Sequence, residues 1–311
     1  MRESGVADIL AGVRKTLAGR LLRCARPDQW VKNLTCFLPV IFSDSLGDPS
    51  RVAHGLLAAG CFVGLSSSVY LLNDAADVER DRLHPLKRLR PIASGDLTVS
   101  AAVTTSAALA LISLLVIRAI LPPMGPCAFL YLSLNAAYSF QLREEPLVGE
   151  FCIALGFCLR VVAGILAIGS KRSPWIVLAT FFLALFIAFG KRQSERAARH
   201  LASPRDPNPG RASLKEYTVG SLDLFLIGSG CLSILTYALF AILSAPTPDL
   251  ILTVPFVVYG IFRYLSLVRN GPLGESPERL VLQDRALFLN SLLWLSTYLA
   301  LAKMRVGFFE R

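Results

Sequence analysis

The sequence predicts an all-α, polytopic membrane protein, and three observations predict it. Of the 311 residues, 54% are hydrophobic and only 17% charged, where a soluble domain carries about 25% charged residues. Mean hydropathy is +0.54. The apolar residues lie in long runs, several of about 18–22 residues, the length at which a helix crosses ~30 Å of hydrocarbon. The Lys and Arg residues also collect in alternate loops. With the N-terminus placed in the cytoplasm, 24 of the 32 fall on the cytoplasmic side, seven on the other, and one, Arg160, inside a span. That positive-inside bias puts the N-terminus in the cytoplasm and, for an odd number of spans, the C-terminus on the opposite side. A soluble enzyme, a disordered chain and a disulfide-stapled secreted domain are excluded. The net charge of +10 has no soluble basic domain to carry it, so nucleic acid is not the expected partner. The seven cysteines are scattered without a C-x-x-C pair and read as buried, reduced thiols rather than metal ligands.

In chain order, residues 1–24 come first. Ile9, Leu10, Val13, Leu17, Leu21 and Leu22 alternate at helical spacing with Arg14, Lys15, Arg20 and Arg23, the pattern of an amphipathic helix lying on the membrane surface. The stretch lacks the apolar centre and small-residue cleavage site of a signal peptide. Residues 25–311 read as one transmembrane domain. Nine apolar segments mark its helices, at about 33–43, 53–72, 100–121, 124–141, 147–169, 174–190, 222–244, 248–268 and 285–303. The first is short for a span. Pro and Gly clusters at 121–126 and 244–248 set the breaks. Two loops on the basic side, 73–99 and 190–221, are far longer than the links opposite, and long loops in compact proteins usually carry function. No internal repeat is evident, which counts against a transporter.

The chemistry gathers where spans leave the membrane on the basic side. Asn73, Asp77 and Asp81 are spaced i, i+4, i+8, and Asp74 is three residues before Asp77. On a continuing helix they share one broad face. Carboxylates this close need a cation among them, and hard oxygen ligands of this kind suit Mg²⁺, which binds through one or two carboxylates plus substrate phosphates. The plain alternative is a solvated acidic helix end balanced by Arg80 and Arg82. Lys87, Arg88 and Arg90 follow at once and suit a ligand carrying several phosphates, though an ordinary basic loop would look the same. Lys191 and Arg192, with Glu195, stand where the sixth segment ends. Arg160 lies within a span, where a lone cation is costly, so it should face the bundle interior and find a partner.

The stretch Asn73-Asp74-x-x-Asp77-x-x-x-Asp81 resembles the first signature of the UbiA prenyltransferase superfamily. Further motifs look like its decaprenyl-phosphate phosphoribosyltransferase branch: Arg26-Pro-x-Gln29-Trp30-x-Lys32-Asn33, His84-Pro-x-Lys87-x-x-Arg90-Pro-Ile-Ala-Ser94-Gly95, Tyr138-Ser139, Gly156-Phe-x-x-Arg160, Gly190-Lys191-Arg192-x-x-Glu195 and Phe262-Arg263-Tyr264. They run in order from about residue 25 to 300. The resemblance implies a nine-helix bundle in a bacterial inner membrane, with its active site at the cytoplasmic helix ends. It implies Mg²⁺-dependent transfer of 5-phosphoribose from phosphoribosyl diphosphate (PRPP) to a polyprenyl phosphate, a step towards lipid-linked arabinose for cell walls or for Nod-factor decoration. Asn73, Asp74, Asp77 and Asp81 would hold the metal. Lys87, Arg90, Lys191 and Arg192 would hold phosphate oxygens, with Lys32, Tyr138, Arg143 and Arg160 as further substrate contacts. Copies of the chain itself are a candidate partner.

Prenyl-transferring members carry a second acidic D-x-x-x-D near the sixth helix. Here that place reads Lys191-Arg192-Gln-Ser-Glu195, and cations in place of acids suit a donor with an extra 5-phosphate. Two positions depart from the branch pattern: Arg143 replaces a usual Lys, and Glu150 stands near a usual Asp. Arg for Lys is not neutral at a phosphate site. The competing expectations are prenyl transfer to an aromatic acceptor and, outside enzymes, a lipid or solute transporter.

Overall fold

A computed structural model describes residues 16–142, 145–171, 173–201, 217–270 and 277–304. Among them every regular element is helical. The chain enters through α1 (Leu17–Ala25), whose start is capped by Thr16, the hydroxyl accepting from the Gly19 N–H at 3.1 Å. It is the described part of the expected surface helix; residues 1–15 lie outside the described residues. Arg26 then turns the chain in the left-handed region (φ 55°) into a 3₁₀ segment, Pro27–Cys36, followed by α2 (Leu38–Phe42).

The first long helix is α3 (Pro49–Ala76). Asp48 caps it by accepting from the N–H groups of Ser50 and Arg51, and Pro49 pre-sets its first turn. At 28 residues it is about 42 Å long, so it extends beyond ~30 Å of hydrocarbon. A short α4 (Val78–Arg82) follows, then a compact loop, α5 (Val99–Ile120), and α6 (Gly125–Ala137), which runs into a π turn at Tyr138–Leu142. The remaining elements are α7 (Val148–Ile168), α8 (Pro174–Leu201), α9 (Val219–Leu243), a 3₁₀ turn Pro248–Thr253 leading into α10 (Val254–Asn270), α11 (Pro277–Gln283) and α12 (Arg285–Met304).

Among the described residues, seven stretches are long and apolar enough to cross a membrane: α3, α5, α7, α8, α9, Pro248–Arg269 and α12. They match seven of the nine apolar segments, and the protein is a multi-pass membrane protein. The other two segments are helical only in pieces. Segment 33–43 is divided between the 3₁₀ segment and the five-residue α2, because Pro39 cannot continue a helix begun before it. Segment 124–141 is a 13-residue helix that ends in the π turn. Helices α3 and α7 are central, with 61% and 56% of their apolar windows buried in the molecule; α5 and α12 bury 22% and turn the rest outwards to lipid. The broken first segment packs against α7 at Gly164, where any Cβ would collide with the Cys36 carbonyl. Glycine there lets the two backbones touch.

Candidate active site at the end of α3

Helix α3 ends at Ala76. Asp77 leaves the helical region (ψ 7°), although its N–H still donates to Asn73 O (2.9 Å) and its own carbonyl accepts from Asp81 N–H (2.8 Å). The continuous face expected for Asn73, Asp77 and Asp81 is therefore broken at Asp77. The two carboxylates that do converge are Asp74 and Asp81, buried to 4% and 2% exposure. The cation between them is Arg90: its Nη1 donates to Asp74 Oδ1 at 3.0 Å and to Asp81 Oδ2 at 2.7 Å. Arg26 Nη2 reaches the same Asp74 oxygen at 2.6 Å, and its guanidinium lies over the Tyr70 ring, 4.8 Å from the centroid. Asn73 and Asp77 are half-buried beside them.

The loop after α4 is built to deliver Arg90. His84 Nδ1 accepts from the N–H groups of Leu86 and Lys87, closing the turn that carries Lys87. Arg20 Nη1 donates to Asp96 O (2.6 Å) and Arg82 Nε to Ala93 O (3.4 Å). Ile92 and Leu97 are buried against Leu71, Ala75 and Cys24. Lys87 is half-buried in this loop and Lys32 in the 3₁₀ segment. Burial pushes the Cys24 thiol up to about 11, and the nearby Asp74 carboxylate adds to the shift.

Two oxygens from Asp74 and Asp81 bracket one cationic nitrogen, which is a donor set that a hard divalent ion accepts when substrate phosphates complete its shell. The pair fits Mg²⁺. The larger set Asn73, Asp74, Asp77, Asp81 is not assembled: among the described residues no three acidic, His or Cys side chains gather closely enough to hold one ion.

Arg192 is placed differently from expectation. It is 1% exposed, with Nη1 on Glu195 Oε2 at 2.6 Å and Nε 3.3 Å from Glu150 Oε1. Tyr217 completes the cluster by donating to Glu150 Oε2 (2.9 Å) while its hydroxyl accepts from Leu147 N–H (2.6 Å). The buried Glu150 and the half-buried Glu195 thus both engage the guanidinium, and Arg192 ties α7 to α8 beside Tyr217. Its neighbour Lys191 is half-buried. Arg160 faces the interior, as expected, but its hydrogen-bond partners are neutral: Asn33 Oδ1 (2.8 Å), Gly156 O (2.9 Å) and Tyr131 OH (2.9 Å), with the rings of Tyr131 and Phe157 at 4.6 and 5.4 Å. Tyr138 opens the π turn; Arg143 lies outside the described residues. Sequence reasoning passed over Arg26 as a site residue although it quoted the motif that Arg26 opens. It noted Glu150 only as a departure.

A family model, the UbiA prenyltransferase family, matches residues 34–292. The chain belongs to that family. Among its UbiA-family relatives, the decaprenyl-phosphate phosphoribosyltransferase of Mycolicibacterium smegmatis is 31% identical over 92% of this chain and 93% of its own length. The protein of the same name from Corynebacterium glutamicum is 34% identical over 90% and 86%. A solved UbiA homolog from Archaeoglobus fulgidus bound to GPP and Mg²⁺ shares the fold with a TM-score of 0.70 at 19% identity, covering 91% of this chain and 99% of that one.

Proposed function

We propose that the protein is a membrane-embedded transferase that moves 5-phosphoribose from PRPP to a polyprenyl phosphate, releasing diphosphate. The relatives that match nearly the whole chain carry the name of that activity. The observation that carries the reading against prenyl transfer is at the foot of α8. The acid there, Glu195, is bound to Arg192 at 2.6 Å, so among the described residues no second acidic pair stands free at that place to clamp a second metal–diphosphate.

In the reaction, an oxygen of the lipid phosphate forms a bond to C1 of the ribose while the bond from C1 to the diphosphate oxygen breaks. The diphosphate leaves with the electron pair. A phosphate nucleophile is already anionic at neutral pH, so no general base is needed. Asp74 and Asp81 would hold Mg²⁺, which would supply positive charge to the leaving diphosphate. Arg26, Lys87 and Arg90 supply further positive charge beside it, with Lys32 and Lys191 as additional phosphate contacts. Catalysis on this account is mainly positioning and electrostatics. The lipid phosphate enters sideways from the bilayer. The site faces the cytoplasm of a bacterium, in its inner membrane, with the N-terminus on the same side.

The test uses membranes containing the protein, Mg²⁺, labelled PRPP and a polyprenyl phosphate. Label should move into the lipid fraction and EDTA should stop it. Transfer only from a labelled prenyl diphosphate to an aromatic acceptor would overturn the reading.

A further inference from the structure

A cavity with a basic rim and an apolar wall lies at the other end of the bundle. Arg51, on its rim, and Asp74 sit on the same helix, α3, 23 residues and therefore about 35 Å apart along it. The cavity has a volume of about 600 Å³. Its rim carries Arg51 and Lys171, and no acidic side chain lines it among the described residues. Arg51 is partly engaged, its Nη1 donating to Ser45 Oγ at 3.0 Å and its Nε 3.3 Å from Asp48. Lys171 is exposed. Ser173 also lines the cavity, and its buried hydroxyl oxygen has no hydrogen-bond partner.

The residue after Ser173 is Pro174, the first of α8. The N–H groups of that first turn have no acceptor within the helix, and the helix dipole places positive potential there. The cavity therefore combines a guanidinium, an ammonium, a helix N-terminus and an unpartnered hydroxyl, each of which favours an anion and together a phosphate group. Its inner wall is apolar: Phe42, Ile165, Ile176 and Phe240 are all buried at 8% exposure or less.

We infer that this cavity binds an anionic phospholipid of the leaflet opposite the active site. The phosphate sits against Arg51, Lys171 and Ser173, and the first part of an acyl chain lies along Phe42, Ile176 and Phe240. A free phosphate ion offers the same head chemistry, but it leaves the apolar wall and most of the volume without a partner. The inference stands apart from the transferase reading.

The test compares the full chain in neutral detergent with added phosphatidylglycerol, phosphatidylcholine or inorganic phosphate, scored by native mass spectrometry for retained lipid and by melting temperature. Phosphatidylglycerol should be retained and should raise the melting temperature by several degrees, and phosphatidylcholine and phosphate should do neither. Arg51→Gln with Lys171→Gln should weaken retention about tenfold or more, equivalent to about 1.4 kcal/mol. Ile176→Trp fills the cavity with both cations in place and should have the same effect. Lys171→Gln alone changes an exposed side chain and keeps the comparison valid if the double variant folds poorly. Equal retention by wild type and both kinds of variant overturns the site. A full response to inorganic phosphate alone overturns the lipid assignment.

Discussion

Arg90 is the residue on which the site's charge balance turns. It joins two carboxylates that would otherwise repel across a small gap, and Asp81 has no other ion pair among the described contacts. Arg90→Gln should lower stability in metal-free buffer, by about 3 kcal/mol or less given that 29% of the Arg90 side chain is exposed to screening solvent. Millimolar Mg²⁺ should recover part of the loss, because Asp74 and Asp81 are the carboxylates that would hold the ion. Melting curves with Mg²⁺ and with EDTA check this, and curves that coincide would remove the metal from that pair. Neighbouring Lys191 and Arg192 separate in the same way. Arg192→Ala strands the buried Glu150 and leaves the half-buried Glu195 without its ion pair, and should cost about 3 kcal/mol. Lys191→Ala should raise the KM for PRPP about tenfold and cost less stability than Arg192→Ala. If instead Arg192→Ala melts normally with only a raised KM, Arg192 is a phosphate ligand after all.

At the scale of elements, the pairing of α10 with α12 gives a pH-dependent contact outside the site. Asp284 stands just before α12, where its Oδ1 accepts from Leu287 N–H at 2.8 Å, and Arg263 binds both its oxygens at 3.2 and 2.7 Å. Those hydrogen bonds from Arg263 hold the Asp284 carboxyl below the usual carboxylate range. A depressed folded pKa contributes stability that is complete above the unfolded value of about 3.9 and is lost as pH falls through the folded value. Asp284→Asn keeps a good helix cap and removes the charge. Its melting temperature should sit below wild type at pH 6–7, with the gap closing below about pH 4. A gap independent of pH would show that packing, not charge, is at stake.

The same scale shows what the sequence reveals and what it hides. Hydropathy marks α3, α5, α7, α8 and α9 because each is a long apolar run. It also marks 33–43, since a hydropathy window does not register that Pro39 breaks the helix. The acidic end of α3 is legible from local spacing. The break at Asp77 is not, because it depends on how the following loop packs. Arg192 is the sharper case: beside Lys191 it looks like a phosphate ligand, but its partner Glu150 lies on another helix and Tyr217 just before a third. Such contacts have no signature in a single chain. Arg160 is half legible, since an intramembrane cation must turn inwards, but nothing in the sequence says that neutral groups and aromatic faces would receive it.

For the molecule as a whole, α3 is the measuring rod, with Asp48 and Arg51 at one end and Asp74 at the other. The described cations at the Asp74 end include Arg20, Arg23, Arg26, Arg82, Arg90 and Lys191; the other end has few, Arg51 and Lys171 among them. The positive-inside bias predicts the Asp74 end in the cytoplasm. Added cysteines can read that orientation, because the natural background is low. Cys24, Cys36, Cys61, Cys127, Cys152 and Cys158 are buried, and the exposed Cys231 lies on α9 within an apolar span. Leu86→Cys introduces a thiol in the loop after α4, where Leu86 is 74% exposed, and Lys171→Cys introduces one at the opposite end. With a membrane-impermeant maleimide on intact cells, Lys171→Cys should label at once and Leu86→Cys only after permeabilisation. The reverse pattern would turn the molecule over. It would place Asp74, Asp81 and Arg90 outside, away from a supply of phosphorylated sugar donor, and the proposed reaction would fail with the orientation.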